Sequence, residues 1–276
     1  MKYFLLIILA ILLAGCAQKT LIEKPDYVLD VSRRASEAHP RIKLLVIHYT
    51  AGDFDASLAT LTGREVSVHY LIPALPPQVY SKPKIWQLVP ENELAWHAGA
   101  SFWRGATRIN DTSIGIELEN MGWRRVVRSK VFTPFEPAQI QALTSLAKEI
   151  IARYHIPPQN VVAHADIAPQ RKDDPGPRFP WQQLVKQGIG AWPDADRVAF
   201  YLHGRAPQTS VATENLLNLL ARYGYDVTPD MSEKQQRRVI GAFQMHFRPA
   251  RWDGIADAES EAIAEALLEK YGSVGG

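Results

Sequence analysis

The sequence predicts an α/β fold in which a mixed central β-sheet is flanked by helices, followed by a small C-terminal three-helix domain. Apolar runs rich in β-branched residues, typical of buried strands, occur at residues 42–50, 112–119 and 160–163. A helical stripe at 137–154 lies between the last two, and strands interleaved with helices indicate an α/β layer. Several links between strands are hairpin-short, which requires antiparallel pairs, so we expect a mixed sheet.

Most of the predicted strands lie in the first half of the chain. The run at 42–50 precedes a short helix at 57–61, a second strand at 66–72 and a third at 84–89. Successive side chains of a strand point to opposite faces. In the fourth strand, this alternation places four residues on one face: Ser113, Gly115, Glu117 and Glu119.

A long helix follows the fourth strand. Glu136-Pro137 marks its start, because proline is well tolerated in the first turn of a helix. Apolar residues then recur at helical spacing over 140–154. Pro157-Pro158 ends the helix, and a fifth strand at 160–163 leads directly into His164.

A chain of 276 residues exceeds the usual size of one core, which predicts a main domain and a smaller one. We place the main domain at 41–188 and a linker at 189–207, where glycine, proline and polar residues replace the regular patterns. The predicted C-terminal domain spans 208–276. It contains three helical patterns, at residues 211–223, 232–247 and 258–271.

The amino terminus has the features of a bacterial secretion signal. A positive start precedes an apolar run at residues 3–13, which is too short for a membrane span. The run ends in Leu13-Ala14-Gly15-Cys16, which resembles a lipobox. We therefore expect removal of residues 1–15, lipidation of Cys16 and a polar tether at 16–40. The alternative is a plain secretory signal with an incidental cysteine.

Cys16 is the single cysteine of the chain, which excludes an internal disulfide and favours an anchoring role. The next residue is Ala17 rather than aspartate, which resembles the outer-membrane sorting class of lipoproteins. We therefore expect a lipid anchor in the bacterial outer membrane, with the rest of the protein in the periplasm.

The charge balance argues against a nucleic-acid-binding protein. Basic minus acidic residues give 31 − 29 = +2, too small an excess to indicate a phosphate-rich partner. A local basic cluster is interpreted as a solvated loop, and consists of Arg124, Arg125, Arg128 and Lys130. We expect no nucleic-acid partner, and a monomer.

Residues suited to metal binding follow the predicted strands. His48 lies near the end of the first strand, His164 follows the fifth, and Asp174 lies in a proline-rich loop beyond it. Two histidines and one carboxylate are typical ligands of Zn²⁺, and three protein ligands leave a fourth position open. Asp166 and Asp173 are alternative carboxylates, and the position of Asp166 is also typical of a residue that caps a turn.

Glu117 and Lys172 are candidates for catalysis. A carboxylate on the inner face of a strand is costly to bury unpaired, so we expect Glu117 in a wet cleft. There it would act as a general base, whereas a salt bridge at the sheet edge is the alternative and is favoured for Glu119. Lys172 either stabilises a developing oxyanion or is an ordinary surface lysine.

Three sequence blocks resemble a known family. IHYT (47–50), SIGIELEN (113–120) and HADIAPQRKDDPGP (164–177) are similar to the signature blocks of the type 2 zinc N-acetylmuramoyl-L-alanine amidases. The resemblance covers roughly residues 40–185. It implies a Zn²⁺ cofactor and hydrolysis of the bond between the lactyl group of N-acetylmuramic acid and L-alanine in peptidoglycan or muropeptides.

The resemblance also implies roles for individual residues. His48, His164 and Asp174 match the metal ligands, since the family's ligand aspartate directly precedes Pro-Gly-Pro. Glu117 matches the general base, and Lys172 matches the lysine that stabilises the oxyanion.

Trp96-His97-Ala98-Gly99 is similar to the substrate-groove loop of the family. Trp96 and His97 are therefore candidate substrate-binding residues, and His97 either contacts the peptide or the carbonyl oxygen or is a structural turn histidine. For His69 we expect a core or supporting role. Val68 stands where some phage relatives have a tyrosine, which leaves more of the catalysis to Glu117. Further candidates for the cleft are Trp103, Arg104, Asn110 and Asp111.

A non-catalytic peptidoglycan-binding lipoprotein is the main alternative to the amidase. Phe243-Gln244 and residues 253–257 loosely resemble a type 1 peptidoglycan-binding domain, although a purely structural helical tail fits them nearly as well. The complete ligand set favours the enzyme. A zinc endopeptidase is a third possibility, but the sequence contains no His-Glu-x-x-His motif.

Overall fold

The computed structural model describes residues 20–127 and 129–273, which fall into two units divided at residue 40. In the first unit, strands β1 (Leu21–Glu23) and β2 (Val28–Asp30) form an antiparallel hairpin. No described residue of this unit is buried. The predicted signal peptide and Cys16 lie outside the described residues.

The second unit contains the other strands and all helices of the described residues. Its strands are β3 (Leu44–Tyr49), β4 (Tyr70–Ile72), β5 (Gln78–Val79), β6 (Lys82–Pro83), β7 (Trp86–Gln87), β8 (Ser113–Leu118), β9 (Trp123–Val126), β10 (Ser129–Phe132) and β11 (Val161–Ala163). Its helices are α1 (Phe54–Leu61), α2 (Ile109–Thr112), α3 (Pro137–Tyr154), α4 (His164–Ile167), α5 (Trp181–Val185), α6 (Ala195–Leu202), α7 (Thr213–Tyr223), α8 (Glu233–Phe247) and α9 (Ala258–Tyr271).

Five strands form a mixed central sheet in the order β11-β3-β8-β4-β7, which confirms the predicted fold class. Every neighbouring pair is parallel except β4–β7. Strand β3 is buried along nearly its whole length, as expected for a strand covered on both faces. The register places His48 beside Glu117 and Ala163 beside Ile47. The carboxyl ends of β3, β8 and β11 therefore meet at one edge, where open α/β sheets bind their ligands.

Helix α3 confirms the predicted helix at 137–154. Its first residue is Pro137, and its buried stripe includes Ile140, Leu143 and Ile150. The last residue of the helix is Tyr154, and His155 caps it in a left-handed conformation with φ 54°.

Two predicted strands are shorter than expected. The strand predicted at 66–72 is reduced to β4, because the backbone before it bonds to loops instead: Ser67 N–H donates to the Trp96 carbonyl at 3.1 Å. Only β7 remains of the strand predicted at 84–89. The basic cluster interpreted as a loop is also partly strand, since Arg124, Arg125 and Lys130 lie in the β9–β10 hairpin.

The C-terminal helices α7, α8 and α9 confirm the three helical patterns. Residues 239–247 of α8 are all buried, so this helix is covered on every side. Its surroundings include the sheet domain, because the two regions share one hydrophobic cluster. Across that cluster, the Trp103 and Tyr225 rings pack edge to face at 5.1 Å between centroids.

The predicted linker at 189–207 was wrong, because this segment contains α6 and packs against α9. The Trp192 N–H donates to the Tyr271 hydroxyl at 3.1 Å, and Lys270 pairs with Asp194 at 2.6 Å. The glycine and proline residues on either side favoured a linker, although the eight residues between them have apolar side chains at helical spacing and form a helix. Within the described ranges, no helix has the length and apolar character needed to cross a membrane.

Candidate active site

Three of the predicted ligands converge at the carboxyl edge of the sheet. His48 lies near the end of β3, His164 is the first residue of α4, and Asp174 lies in the loop that follows. The Nδ1 atoms of His48 and His164 are 2.8 Å apart. Asp174 Oδ2 lies 3.2 Å from His48 Nδ1 and 3.1 Å from His164 Nδ1. All three residues are buried.

This arrangement fits a tetrahedral metal ion. Ligand atoms about 2.0–2.1 Å from one Zn²⁺ stand about 3.3 Å from each other, close to the separations observed. The His164 Nε2 atom faces the Ala98 carbonyl at 3.2 Å, and a carbonyl only accepts hydrogen bonds. Nε2 therefore carries the ring proton, and the Nδ1 lone pair of His164 points at the common centre, as a metal ligand requires.

The charge states of the cluster also suit a cation. Burial, reinforced by the charge of neighbouring His164, lowers the pKa of His48 to about 4. Burial alone would raise the pKa of Asp174, but interactions with His164 and His48 outweigh it and hold that pKa below its usual range. At neutral pH the site thus offers a neutral imidazole at His48 and an ionised carboxylate, the forms that bind metals.

Glu117 lies on β8 directly beside His48. Its Oε2 atom is buried and has no hydrogen-bond partner among the described residues. Burial and the charge of Asp174 raise the pKa of Glu117 well above its usual value, while Lys172 opposes this effect. An unpartnered carboxylate with a raised pKa beside a metal cluster is typical of a general base.

His164, Asp174 and Glu117 line a cleft of about 470 Å³. Lys172 forms part of the cleft wall, and its positive charge acts to lower the pKa of both Glu117 and His48. Trp96 lies at the rim with 62% of its surface exposed. The structure therefore places six predicted site residues around one cleft: Trp96, His97, Glu117, His164, Lys172 and Asp174. His48 contacts three of them, His97, His164 and Asp174.

The two alternative carboxylates have other partners. Asp173 pairs with Lys130 of β10. Asp166 is fully buried and accepts hydrogen bonds from the Ala163 N–H at 2.7 Å and the Tyr225 hydroxyl at 2.6 Å. His246 Nδ1 lies 2.7 Å from the same carboxylate. Asp166 therefore supports α4, as the sequence position suggested, and does not face the metal cluster.

His97 lies at the base of the cleft, but both its ring nitrogens contact protein atoms. Nδ1 lies 3.0 Å from His48 Nε2, and Nε2 lies 3.1 Å from the Ser113 hydroxyl. His69 is buried behind it, where Nδ1 accepts from the Gly115 N–H at 3.1 Å. This is the supporting role expected for His69.

Four further candidates do not line the cleft. Trp103 donates to the Gln159 carbonyl at 3.1 Å, and Arg104 donates to the Tyr223 carbonyl at 2.5 Å. Asp111 pairs with Arg108, and Asn110 is buried beneath the loop that carries His97. Their roles are structural.

Sequence reasoning missed two aromatic residues of the cleft. Tyr49 directly follows His48 within the first block, so its position was a usable signal. Trp123 reaches the cleft from the unpredicted β9–β10 hairpin, and nothing in the local sequence indicates this contact.

Residues 38–177 match the family model of N-acetylmuramoyl-L-alanine amidase, which covers half of the chain. The chain belongs to this family. The N-acetylmuramoyl-L-alanine amidase AmiD of Escherichia coli K12 is 71% identical over 272 residues, which are 98% of this chain and 99% of AmiD. The amidase AmpD of Enterobacter cloacae is 42% identical over 101 residues, 37% of this chain and 49% of AmpD.

Solved structures agree with these matches. Escherichia coli AmiD, in complex with the substrate anhydro-N-acetylmuramic acid-L-Ala-D-gamma-Glu-L-Lys, has a TM-score of 0.90 at 72% identity, covering 92% of this chain and 99% of that one. AmpDh3 from Pseudomonas aeruginosa, in complex with anhydromuramic pentapeptide, has a TM-score of 0.80 at 41% identity, covering 91% and 98%. The predicted enzyme class, an N-acetylmuramoyl-L-alanine amidase, is confirmed.

Proposed function

We propose that this amidase uses Zn²⁺ held by His48, His164 and Asp174 to cleave the bond between the lactyl group and L-alanine in muropeptides. The observation that carries the proposal is the convergence of three ligand atoms within 2.8–3.2 Å at the edge of a cleft. The substrates in the AmiD and AmpDh3 complexes support fragments with an anhydro-N-acetylmuramic acid end as substrates.

The reaction is a hydrolysis in which the surrounding side chains move one proton. When held by these three residues, zinc would supply Lewis acidity to the reaction. Glu117 accepts a proton from the attacking water and passes it to the L-alanine nitrogen as the C–N bond breaks. Lys172 stabilises the negative charge that develops on the lactyl carbonyl oxygen. The products are a lactyl carboxylate and a peptide with a free amino terminus.

A pair of adjacent aspartates provides the test of the metal site. Asp174→Ala removes a ligand, whereas Asp173→Ala removes only the partner of Lys130 and serves as the matched control. We expect one zinc per chain in the wild type and the control, and loss of bound zinc and turnover in Asp174→Ala. Chelation should abolish wild-type activity and added zinc should restore it. Equal zinc content in both variants would contradict the proposed ligand set.

We further propose that the enzyme is a lipoprotein of the outer membrane that acts in the periplasm. The support is the sequence Leu13-Ala14-Gly15-Cys16, which resembles a lipobox. Mass spectrometry of the protein from the membrane fraction should find Cys16 as the first residue of the mature chain, with acyl chains attached. An unmodified Cys16 would contradict lipid anchoring at this residue.

A further inference from the structure

We infer that His97 is a positioning residue for the zinc site: together with the Ala98 carbonyl, it sets the ring tautomers of both histidine ligands. The inference rests on the proposed zinc site. Each ligand histidine must keep its Nδ1 free of a proton to bind the metal. A neutral imidazole carries one proton, so a hydrogen-bond acceptor beside Nε2 holds the proton there and leaves Nδ1 free.

The tautomer of His48 follows from a chain of hydrogen bonds that begins at the Ile109 carbonyl and ends at His48 Nε2. The Ile109 carbonyl only accepts, so the Ser113 hydroxyl, 2.6 Å away, donates to it. The Ser113 oxygen then accepts from His97 Nε2, at 3.1 Å, which therefore carries the proton. His97 Nδ1 is left bare and accepts from His48 Nε2 at 3.0 Å. His48 Nδ1 has no proton and faces the metal position.

The tautomer of His164 is set by the next residue of the same loop. Its Nε2 faces the Ala98 carbonyl at 3.2 Å. Arg171 Nη2 also lies near this nitrogen, at 3.4 Å, but its two hydrogens point at the carbonyls of Ala98 and Ala100. The proton on His164 Nε2 therefore remains, and its Nδ1 is free.

The His97-Ala98 dipeptide is itself held in place. The buried Asn110 side-chain oxygen accepts from the His97 N–H at 3.2 Å and from the Ala98 N–H at 2.8 Å. The His97 ring packs against Gly115, where an added Cβ would lie 2.6 Å from the ring carbon Cγ. A glycine at this position of β8 is thus needed to admit the imidazole.

These contacts separate a positioning role from direct substrate contact. Both ring nitrogens of His97 are occupied by Ser113 and His48, so neither is free for the peptide or its carbonyl oxygen. With the ring proton of each histidine held at Nε2, both Nδ1 lone pairs and the Asp174 carboxylate are directed at one position, where a cation would bind. Mutating a partner of this kind weakens metal binding by about 10–100-fold.

The test compares His97→Phe, which removes both ring nitrogens, with His97→Asn, whose side-chain oxygen can replace Nδ1 as acceptor. We expect His97→Phe to bind zinc about 10–100-fold more weakly in chelator competition. His97→Asn should recover most of the affinity. Trp96→Ala, one residue earlier at the cleft rim, is the control and should raise KM without changing zinc affinity.

Nitrogen NMR of the histidine rings in the metal-free full-length protein gives an independent readout. The wild type should show His48 and His164 protonated at Nε2, and Ser113→Ala should yield a mixture of tautomers at His97 and His48 but not at His164. Ser113→Ala also provides the answer if His97→Phe does not fold. Wild-type zinc affinity in folded His97→Phe, or an unchanged His48 tautomer in Ser113→Ala, would overturn the inference. A wild type that binds no zinc but shows these tautomers would instead refute the proposed function.

Discussion

At the residue scale, Glu117 combines burial, a missing hydrogen-bond partner for Oε2 among the described residues and a place beside His48. Glu117→Gln keeps the size of the side chain but cannot accept a proton. We expect it to retain zinc and to lose turnover by about 10²–10⁴-fold, the usual contribution of a general base. The measurement is kcat together with metal content.

Glu119, two residues further along the chain and just beyond the end of β8, is the control for this change. Its Oε2 accepts from the Ala74 N–H at 2.7 Å, so its role is to hold a loop and not to transfer protons. Glu119→Gln should therefore keep kcat within a few-fold. Near-native turnover in Glu117→Gln would contradict its assignment as the base.

Individual site residues were predictable where they belong to short blocks of sequence. His48, Glu117, His164 and Asp174 lie in three such blocks, and their chemistry suits one metal centre. The role of His97 was left open, because it depends on partners from other elements: His48 on β3 and Ser113 on β8. Hydrogen bonds across a fold of this kind leave no local pattern in the sequence.

At the scale of elements, residues of the C-terminal region stabilise α4 through hydrogen bonds to Asp166. Tyr225 donates to the buried Asp166 at 2.6 Å, and Asp166 lies two residues after the proposed ligand His164. Tyr225→Phe removes a hydrogen bond to a buried carboxylate, so we expect a loss of about 1.5–3 kcal/mol in the free energy of unfolding. Zinc affinity should fall as well. Denaturant unfolding and chelator competition measure the two effects.

Tyr223 is a matched control two residues earlier. It is equally buried, but its hydroxyl has no hydrogen-bond partner among the described residues. Tyr223→Phe should therefore leave the free energy of unfolding unchanged or slightly raise it. If the two variants lost equal stability, the hydrogen bond to Asp166 would not be the cause.

Glu91 connects strand β4 to helix α3. Its carboxylate accepts from the hydroxyls of Tyr70 and Tyr154, both at 2.7 Å, and from Arg153 at 2.5 Å. Burial would raise the pKa of Glu91, but these bonds outweigh it and lower the pKa below its ordinary value of 4.5. Because the folded pKa is the lower one, the stabilisation is complete above about pH 4.5 and is lost as the pH falls through the folded pKa.

Glu91→Gln tests this linkage. At pH 7 we expect a loss of about 1–2 kcal/mol in the free energy of unfolding, since the bonds to a charged group are replaced by weaker ones. The difference from the wild type should shrink below the folded pKa, where the native carboxyl is protonated. Unfolding curves across this range provide the measurement, and a difference that stays constant with pH would contradict the argument.

The element predictions succeeded for long periodic segments and failed for short ones. Helix α3 and the three C-terminal helices have apolar stripes over several turns, which outweigh local ambiguity. Helix α6 and the β9–β10 hairpin are short and flanked by glycine, proline or basic residues. Tertiary packing determines the secondary structure of such short segments, so their sequences alone do not predict it.

At the scale of the whole molecule, the sheet and the C-terminal helices share a single hydrophobic cluster. The sequence suggested two separable domains because the pattern changes near residue 189. Contacts such as Phe132 with Trp252, 5.4 Å between ring centroids, join the two halves of the second unit. Composition and periodicity do not indicate contacts between residues that are so far apart in the sequence.

This shared core predicts the outcome of truncation. A chain that ends at residue 207 lacks α7, α8 and α9 and exposes the surface around Trp103 and Trp181, so we expect it to lose cooperative thermal unfolding. A chain that begins at residue 41 lacks only the first unit and should unfold cooperatively. Native-like melting and zinc binding by the C-terminal truncation would show that the catalytic domain folds alone.

In the proposed reaction, water activated in this cleft with Glu117 as base hydrolyses the lactyl–L-alanine bond. The most direct test is turnover of an anhydro-N-acetylmuramic acid peptide in water enriched in heavy oxygen, followed by mass spectrometry of both fragments. We predict that the label enters the carboxylate of the sugar fragment, that the peptide gains a free L-alanine amino terminus, and that chelation stops both. Label in the peptide fragment instead, or cleavage elsewhere in the stem, would contradict the account.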